Sequence, residues 1–130
     1  MMIPTTQRTV LIVEDSPTEL AIVRDCLERA GYIVLTAISG IEAKEYIEVA
    51  IVDVIVLDLI LPDMNGYDLY RTLRGDTRTN ETPIVMLTQR SSGPEEFYGR
   101  MLGASAYLKK PFRPRQLLAE LQRLAPLSSL

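Results

Sequence analysis

Val54-Ile55-Val56-Leu57 is an uninterrupted apolar run, mostly β-branched, that ends on a carboxylate, Asp58. A run without polar alternation fits a strand covered on both faces, and therefore a parallel sheet. A charge at the tip of a buried strand is costly to desolvate. Asp58 is thus either a plain strand stop or a group kept for chemistry at the carboxyl edge of the sheet, where α/β proteins place their sites. The chain then turns through Pro62 and Asn65-Gly66.

Four more short runs, Val10 to Val13, Tyr32 to Thr36, Ile84 to Leu87 and Ala106 to Leu108, read as strands. Between them lie helix signals. Ser16-Pro17-Thr18-Glu19 has capping-box spacing with proline at the first helical position. Leu20, Val23, Leu27 and Ala30 then recur at helical period, and Gly31 supplies the stop. Ser39-Gly40-Ile41-Glu42 repeats the box for a second helix ending near Val49. Tyr67 to Leu73 predicts a short helix, and Gly75 to Thr82 a polar surface loop. A further helix opens at Ser92-Gly93-Pro94-Glu95; Gly99 and Gly103 interrupt it and make it the least rigid element. Arg115 to Leu124 closes the chain as an amphipathic helix.

Five strands alternating with five helices predict an α/β, doubly wound fold with helices on both faces of a parallel sheet. One domain over residues 9–124 is expected, after an N-terminal extension of residues 1–8 and before a C-terminal tail, 125–130, expected to fray. The net charge of −3 and the lack of a basic tract argue against nucleic acid or acidic membranes as partners. With Cys26 as the single cysteine and no histidine, an internal disulfide, a Cys/His zinc site and histidine acid–base chemistry are excluded. Ile51 to Leu61, the most apolar segment, contains Asp53 and Asp58 and is too short and charged to span a bilayer. Met1 to Thr9 is polar and does not read as a secretory signal, so a cytoplasmic location is expected.

In a parallel sheet all the carboxyl ends lie along one rim. That rim would carry Glu14 and Asp15, Asp58, Thr88, and Lys109 or Lys110. In a doubly wound order the first and third strands adjoin at the switch point, so Asp15 and Asp58 would face each other. Clustered carboxylates repel unless a cation joins them, and hard oxygen ligands without histidine or cysteine favour Mg²⁺. A lysine and a threonine hydroxyl beside that cluster suit a phosphoryl anion. With neither histidine nor an activated serine, the nucleophile left is an aspartate, which would form an acyl phosphate.

The chain resembles a response-regulator receiver domain of two-component signalling systems, of the single-domain, chemotaxis-regulator (CheY-like) type. The resemblance runs from about Thr9 to Leu124. It is carried by Val10-Leu11-Ile12-Val13-Glu14-Asp15, by Leu57-Asp58-Leu59-Ile60-Leu61-Pro62-Asp63-Met64-Asn65-Gly66, by Met86-Leu87-Thr88, by Gly103-Ala104 and by Tyr107-Leu108-Lys109-Lys110-Pro111-Phe112. It implies a flavodoxin-like five-stranded sheet in the order 2-1-3-4-5. Asp58 would be the phospho-acceptor. Asp15 would ligate Mg²⁺ directly, Glu14 largely through water, and Ile60 through its backbone carbonyl. Lys110, not Lys109, would contact the phosphoryl group across a cis Lys110–Pro111 bond. Thr88 would move toward that group and Tyr107 would swing inward, remodelling the surface of the last two helices and the fifth strand.

Two features depart from the family pattern. Gln89 follows the threonine where a small residue is usual, which narrows access to the acyl phosphate. Ile60 and Arg90 hold positions that tune phosphoryl lifetime, and an aliphatic at the first implies slow self-dephosphorylation. An aspartyl phosphatase would resemble the hydrolases that carry a second aspartate two residues past the nucleophile, where this chain has Ile60. A flavodoxin-like nucleotide or flavin module would want a glycine-rich loop where Glu14-Asp15-Ser16-Pro17 stands. A degenerate receiver without phosphorylation is disfavoured because every implied site residue is present. The expected role is a stand-alone switch and not a true enzyme. A sensor histidine kinase or phosphotransfer protein would act upstream and an effector protein downstream, and homodimerisation through the fifth-helix face is left open.

Overall fold

The computed structural model describes residues 7–89 and 103–127. Five strands, β1 (Thr9–Val13), β2 (Ile33–Ala37), β3 (Val54–Asp58), β4 (Ile84–Thr88) and β5 (Ala106–Lys109), pair in parallel in the order β2-β1-β3-β4-β5. This is the expected doubly wound order. Every residue of β3 and β4 is buried, which is why their sequences show no polar alternation. Among the described residues the helices are α1 (Pro17–Arg29), α2 (Gly40–Val49), α3 (Gly66–Gly75) and α4 (Pro114–Leu124). The helix expected to open at Ser92 lies outside the described residues, as does Arg90.

Successive strand residues point to opposite faces and so build two cores. Leu11, Val13, Ile55, Leu57, Ile84 and Met86 pack with Ala43 and Ile47 of α2 and Leu69, Tyr70 and Leu73 of α3. Val10, Ile12, Val54, Val56, Val85 and Leu87 pack on the other face with Leu20, Val23 and Leu27 of α1 and Leu117 and Leu121 of α4. Each of the Val, Leu, Ile and Met side chains among them contributes roughly 1.5–3 kcal/mol by leaving water.

The helix ends follow their sequence signals with two corrections. Ser16 and Ser39 cap α1 and α2 by accepting from the Glu19 and Glu42 N–H groups at 3.3 and 3.2 Å, but neither capping box is reciprocal. The Ser16 N–H donates instead to Glu14 Oε1 at 3.2 Å, which frees the Glu19 carboxylate for another partner. Asn65-Gly66 is not a free turn either: Asn65 caps α3, its Oδ1 accepting from the Tyr67 N–H at 2.8 Å. Gly66 is then required by contact, since a Cβ there would lie 2.4 Å from the Asp58 carbonyl oxygen. At the other end of α1, Gly31 takes φ +109, and the Gly31 and Tyr32 N–H groups close onto the Glu28 and Leu27 carbonyls.

The segment after α3 is more firmly held than a surface loop. Thr79 is buried, and its hydroxyl donates to the Leu73 carbonyl at 2.6 Å. Arg74 donates to the Thr79, Asn80 and Thr82 carbonyls and, through Nε, to the Tyr70 hydroxyl. The expected fraying from Ala125 is also corrected as far as Leu127. Ala125 is buried, its carbonyl accepts from the Tyr32 hydroxyl at 2.9 Å, and Leu127 packs on the same core.

Candidate functional site

Strand register brings the polar strand ends together. Val13 pairs with Leu57 and Asp58 with Leu87, so Glu14 and Asp58 leave neighbouring strands side by side, one position from Thr88. Glu14 and Asp58 are buried, at 4% and 6% exposure, whereas Asp15 turns outward. One carboxylate oxygen from each of Glu14, Asp15 and Asp58 lies within 4.8 Å of the others. The pair expected to face each other was Asp15 and Asp58; the buried neighbour of Asp58 is Glu14.

Lys110 closes the site. Its backbone N–H donates to the Thr88 carbonyl at the end of β4, and Lys110–Pro111 is cis, as the resemblance implied. The Lys110 ammonium donates to Glu14 Oε2 at 2.5 Å, Asp58 Oδ2 at 2.7 Å and Glu19 Oε2 at 3.0 Å. Lys109, the other lysine on that rim, is exposed. Burial works to lower the Lys110 ammonium, but its bonds to Asp58, Glu14 and Glu19 overcome it and hold it above the ordinary lysine value. Burial pushes the Glu14 carboxyl up to about 8, and the adjacent Asp58 carboxylate pushes the same way, against the pull of Lys110. The stable charge arrangement is an ammonium beside a carboxylate pair that retains a proton near neutrality.

An open cleft of about 170 Å³ reaches Asp58 from solvent, lined by Ile60, Asn65, Tyr67, Thr88 and Gln89 among others. Ile60 is 65% exposed, so its side chain stands at the mouth, while its N–H donates to Asp58 Oδ1 at 3.0 Å. Gln89, exposed, lines the same cleft. Thr88 is buried beneath it. Tyr107 is neither a rim aromatic with its hydroxyl in water nor isolated. It packs on the α2–α3 core, and its hydroxyl lies 2.5 Å from that of Tyr67.

Three residues of this site escaped the sequence reading. Glu19 was assigned to a capping box, and its spacing gave no sign of Lys110. Tyr67 reads only as the first residue of a short helix. Asp63 read as part of a turn, yet its carboxylate accepts from the Gly40 and Ile41 N–H groups at 2.8 and 2.9 Å, tying the loop after β3 to the start of α2. Those two bonds hold its carboxyl below the usual range.

The donor set fits a hard divalent cation: three convergent carboxylates, no histidine or thiol, and an excess of negative charge that one ammonium does not balance. Glu14, Asp15 and Asp58 would hold it. Next to an anionic acceptor such a set also suits phosphoryl chemistry.

Known proteins agree with this geometry. Residues 10–122 match the sequence model of the response regulator receiver domain. The chain is 37% identical to the chemotaxis protein CheY1 of Helicobacter pylori, over 87% of its own length and 93% of that protein's. It superposes on the chemotaxis response regulator CheY4 of Vibrio cholerae with TM-score 0.86 and 39% identity, covering 92% of this chain and 99% of that one. A receiver domain of the sensor histidine kinase PA1611 of Pseudomonas aeruginosa, with a magnesium ion coordinated in its active site cleft, superposes with TM-score 0.82 and 30% identity, covering 92% and 98%. The chain spans about half the length, 48%, of the transcriptional regulators first among its curated relatives. Among the described residues no helix is long and apolar enough to cross a membrane. Sheet order, the acidic cluster at its carboxyl rim and the match over residues 10–122 converge: the chain belongs to the response regulator receiver domain family of two-component systems, and is CheY-like.

Proposed function

We propose that this chain is a phosphorylation-driven switch whose acceptor is Asp58. The observation that carries this reading is the contact set of one buried carboxylate: Asp58 beside Glu14, within reach of Asp15, and bonded to Lys110. In the transfer, an Asp58 carboxylate oxygen attacks phosphorus, the bond from phosphorus to the donor breaks, and the donor group leaves with its electron pair. Glu14, Asp15, Asp58 and the Ile60 carbonyl would hold Mg²⁺, which would offset the charge of the phosphoryl oxygens. Lys110 gives up its bond to the Asp58 carboxylate and donates to the phosphoryl group. Thr88 shifts toward the new oxygens, and Tyr107 changes its packing in response. A sensor histidine kinase or phosphotransfer protein supplies the phosphoryl group, and an effector protein reads the altered surface. The Ile60 side chain at the mouth of the cleft slows the entry of water and so extends the life of the adduct.

Incubation with Mg²⁺ and acetyl phosphate, followed by intact-mass and peptide analysis, tests this. One phosphoryl group on Asp58, absent with EDTA and absent in Asp58→Asn, is the expected result. Unchanged labelling of Asp58→Asn would overturn the assignment.

A further inference from the structure

Lysine has three N–H donors, and at Lys110 each has a carboxylate partner. Two of those partners, Glu14 and Asp58, are buried at the strand ends. The third, Glu19, comes from the first turn of α1, and its side chain is 49% exposed. Its presence is not demanded by the helix. Ser16 already caps the Glu19 N–H, and the Ser16 N–H is taken by Glu14, so the Glu19 carboxylate has no capping duty left.

We infer that Glu19 is a positioning residue for Lys110 that weakens the site's hold on a phosphoryl group. This rests on the reading of Asp58 as acceptor and Lys110 as phosphoryl contact. Two effects point the same way. A phosphoryl oxygen must compete with Glu19 for the ammonium hydrogens, and the Glu19 charge, one hydrogen bond from Lys110, repels an incoming dianion. Glu14 and Asp58 belong to the cation cluster, whereas Glu19 is outside it. A metal there would not take Glu19 as a ligand, so Glu19 stays paired with Lys110 and α1 keeps a direct electrostatic link to the phosphoryl position.

The test compares wild type, Glu19→Gln and Ser16→Ala. The readouts are the rate of labelling of Asp58 by limiting acetyl phosphate and the affinity for beryllofluoride, a phosphoryl mimic, both with Mg²⁺. Glu19→Gln should label and bind about two- to fivefold better, the range that a half-exposed ion pair supplies. Lys110 should also react faster with an amine-acylating reagent than in wild type, with Lys44 as internal reference. Ser16→Ala loosens the same helix turn without touching the charge and should change none of these. Equal behaviour of Glu19→Gln and wild type, or the same gain in Ser16→Ala, would overturn the inference while leaving the receiver reading intact. Failure of wild type to take phosphate or beryllofluoride would remove both.

Discussion

Lys110 Nζ lies 2.7 Å from Asp58 Oδ2 across 52 positions of sequence, and the same ammonium reaches Glu14 on the next strand. One cation thus compensates two buried carboxylates. Removing it by Lys110→Ala leaves them facing each other with no counter-charge. The metal-free variant should lose roughly 1–3 kcal/mol of stability, limited by protonation of the pair. It should still bind Mg²⁺ but lose the response at Tyr107 on phosphorylation. Thermal unfolding with and without Mg²⁺, and tyrosine NMR shifts in both phosphorylation states, check this. An unaltered response at Tyr107 would remove Lys110 from the coupling.

The raised Glu14 carboxyl makes a pH prediction. Its ordinary value of 4.5 rises to about 8 in the folded protein, so between those values the folded state binds more protons than the unfolded. Stability of the metal-free protein therefore falls as pH rises from about 4.5 through about 8. A cation must displace that proton, so Mg²⁺ binding should tighten over the upper part of this window and release protons. Calorimetry in two buffers of different ionisation enthalpy measures the release; equal heats in both would contradict it.

Tyr67 and Tyr107 share a hydrogen bond between hydroxyls on two different elements. Tyr67→Phe removes one hydroxyl with little change of volume. The expected cost is about 0.5–1.5 kcal/mol. The Tyr107 ring signals should shift in the unphosphorylated protein toward those of the phosphorylated one. Unchanged Tyr107 shifts would show that the pair does not hold the ring.

Asp63 joins the loop after β3 to α2 by two backbone hydrogen bonds. Because its folded carboxyl lies below the ordinary range, its contribution is present above that range and is lost as pH falls through the folded value. Asp63→Ala should lower the melting temperature at neutral pH and flatten its acid dependence, and should speed hydrogen exchange at Gly40 and Ile41. Exchange at wild-type rates would contradict the tie.

Arg74 holds the segment between α3 and β4 through three carbonyls and stacks 5.1 Å from the centre of the Tyr70 ring. Arg74→Lys keeps the charge but not the planar fork, and should cost about 1.5–3 kcal/mol. Denaturant unfolding measures it, and a loss as small as that of an exposed charge would show the segment to be held otherwise.

The sequence by itself determined the strands, the helix starts and the chemical inventory of the rim. β-branched runs, Ser16, Ser39 and Gly31 act within a few residues of where they stand, and parallel pairing sends every strand end to one edge. Asp58, Glu14, Asp15 and Thr88 are legible for that reason, since backbone topology sends them to one rim; topology leaves Lys109 or Lys110 there, and only the family resemblance singles out Lys110. Tertiary structure decided which carboxylate is buried beside Asp58, where the Lys110 hydrogens go, and that Tyr107 meets Tyr67. It also decided that Glu19 leaves its helix cap for Lys110, that Asp63 caps a helix earlier in the chain, and that Ala125 packs where fraying was expected. Such contacts depend on side-chain reach between elements distant in sequence, and a polar side chain leaves no periodic trace of the partner it will find in space.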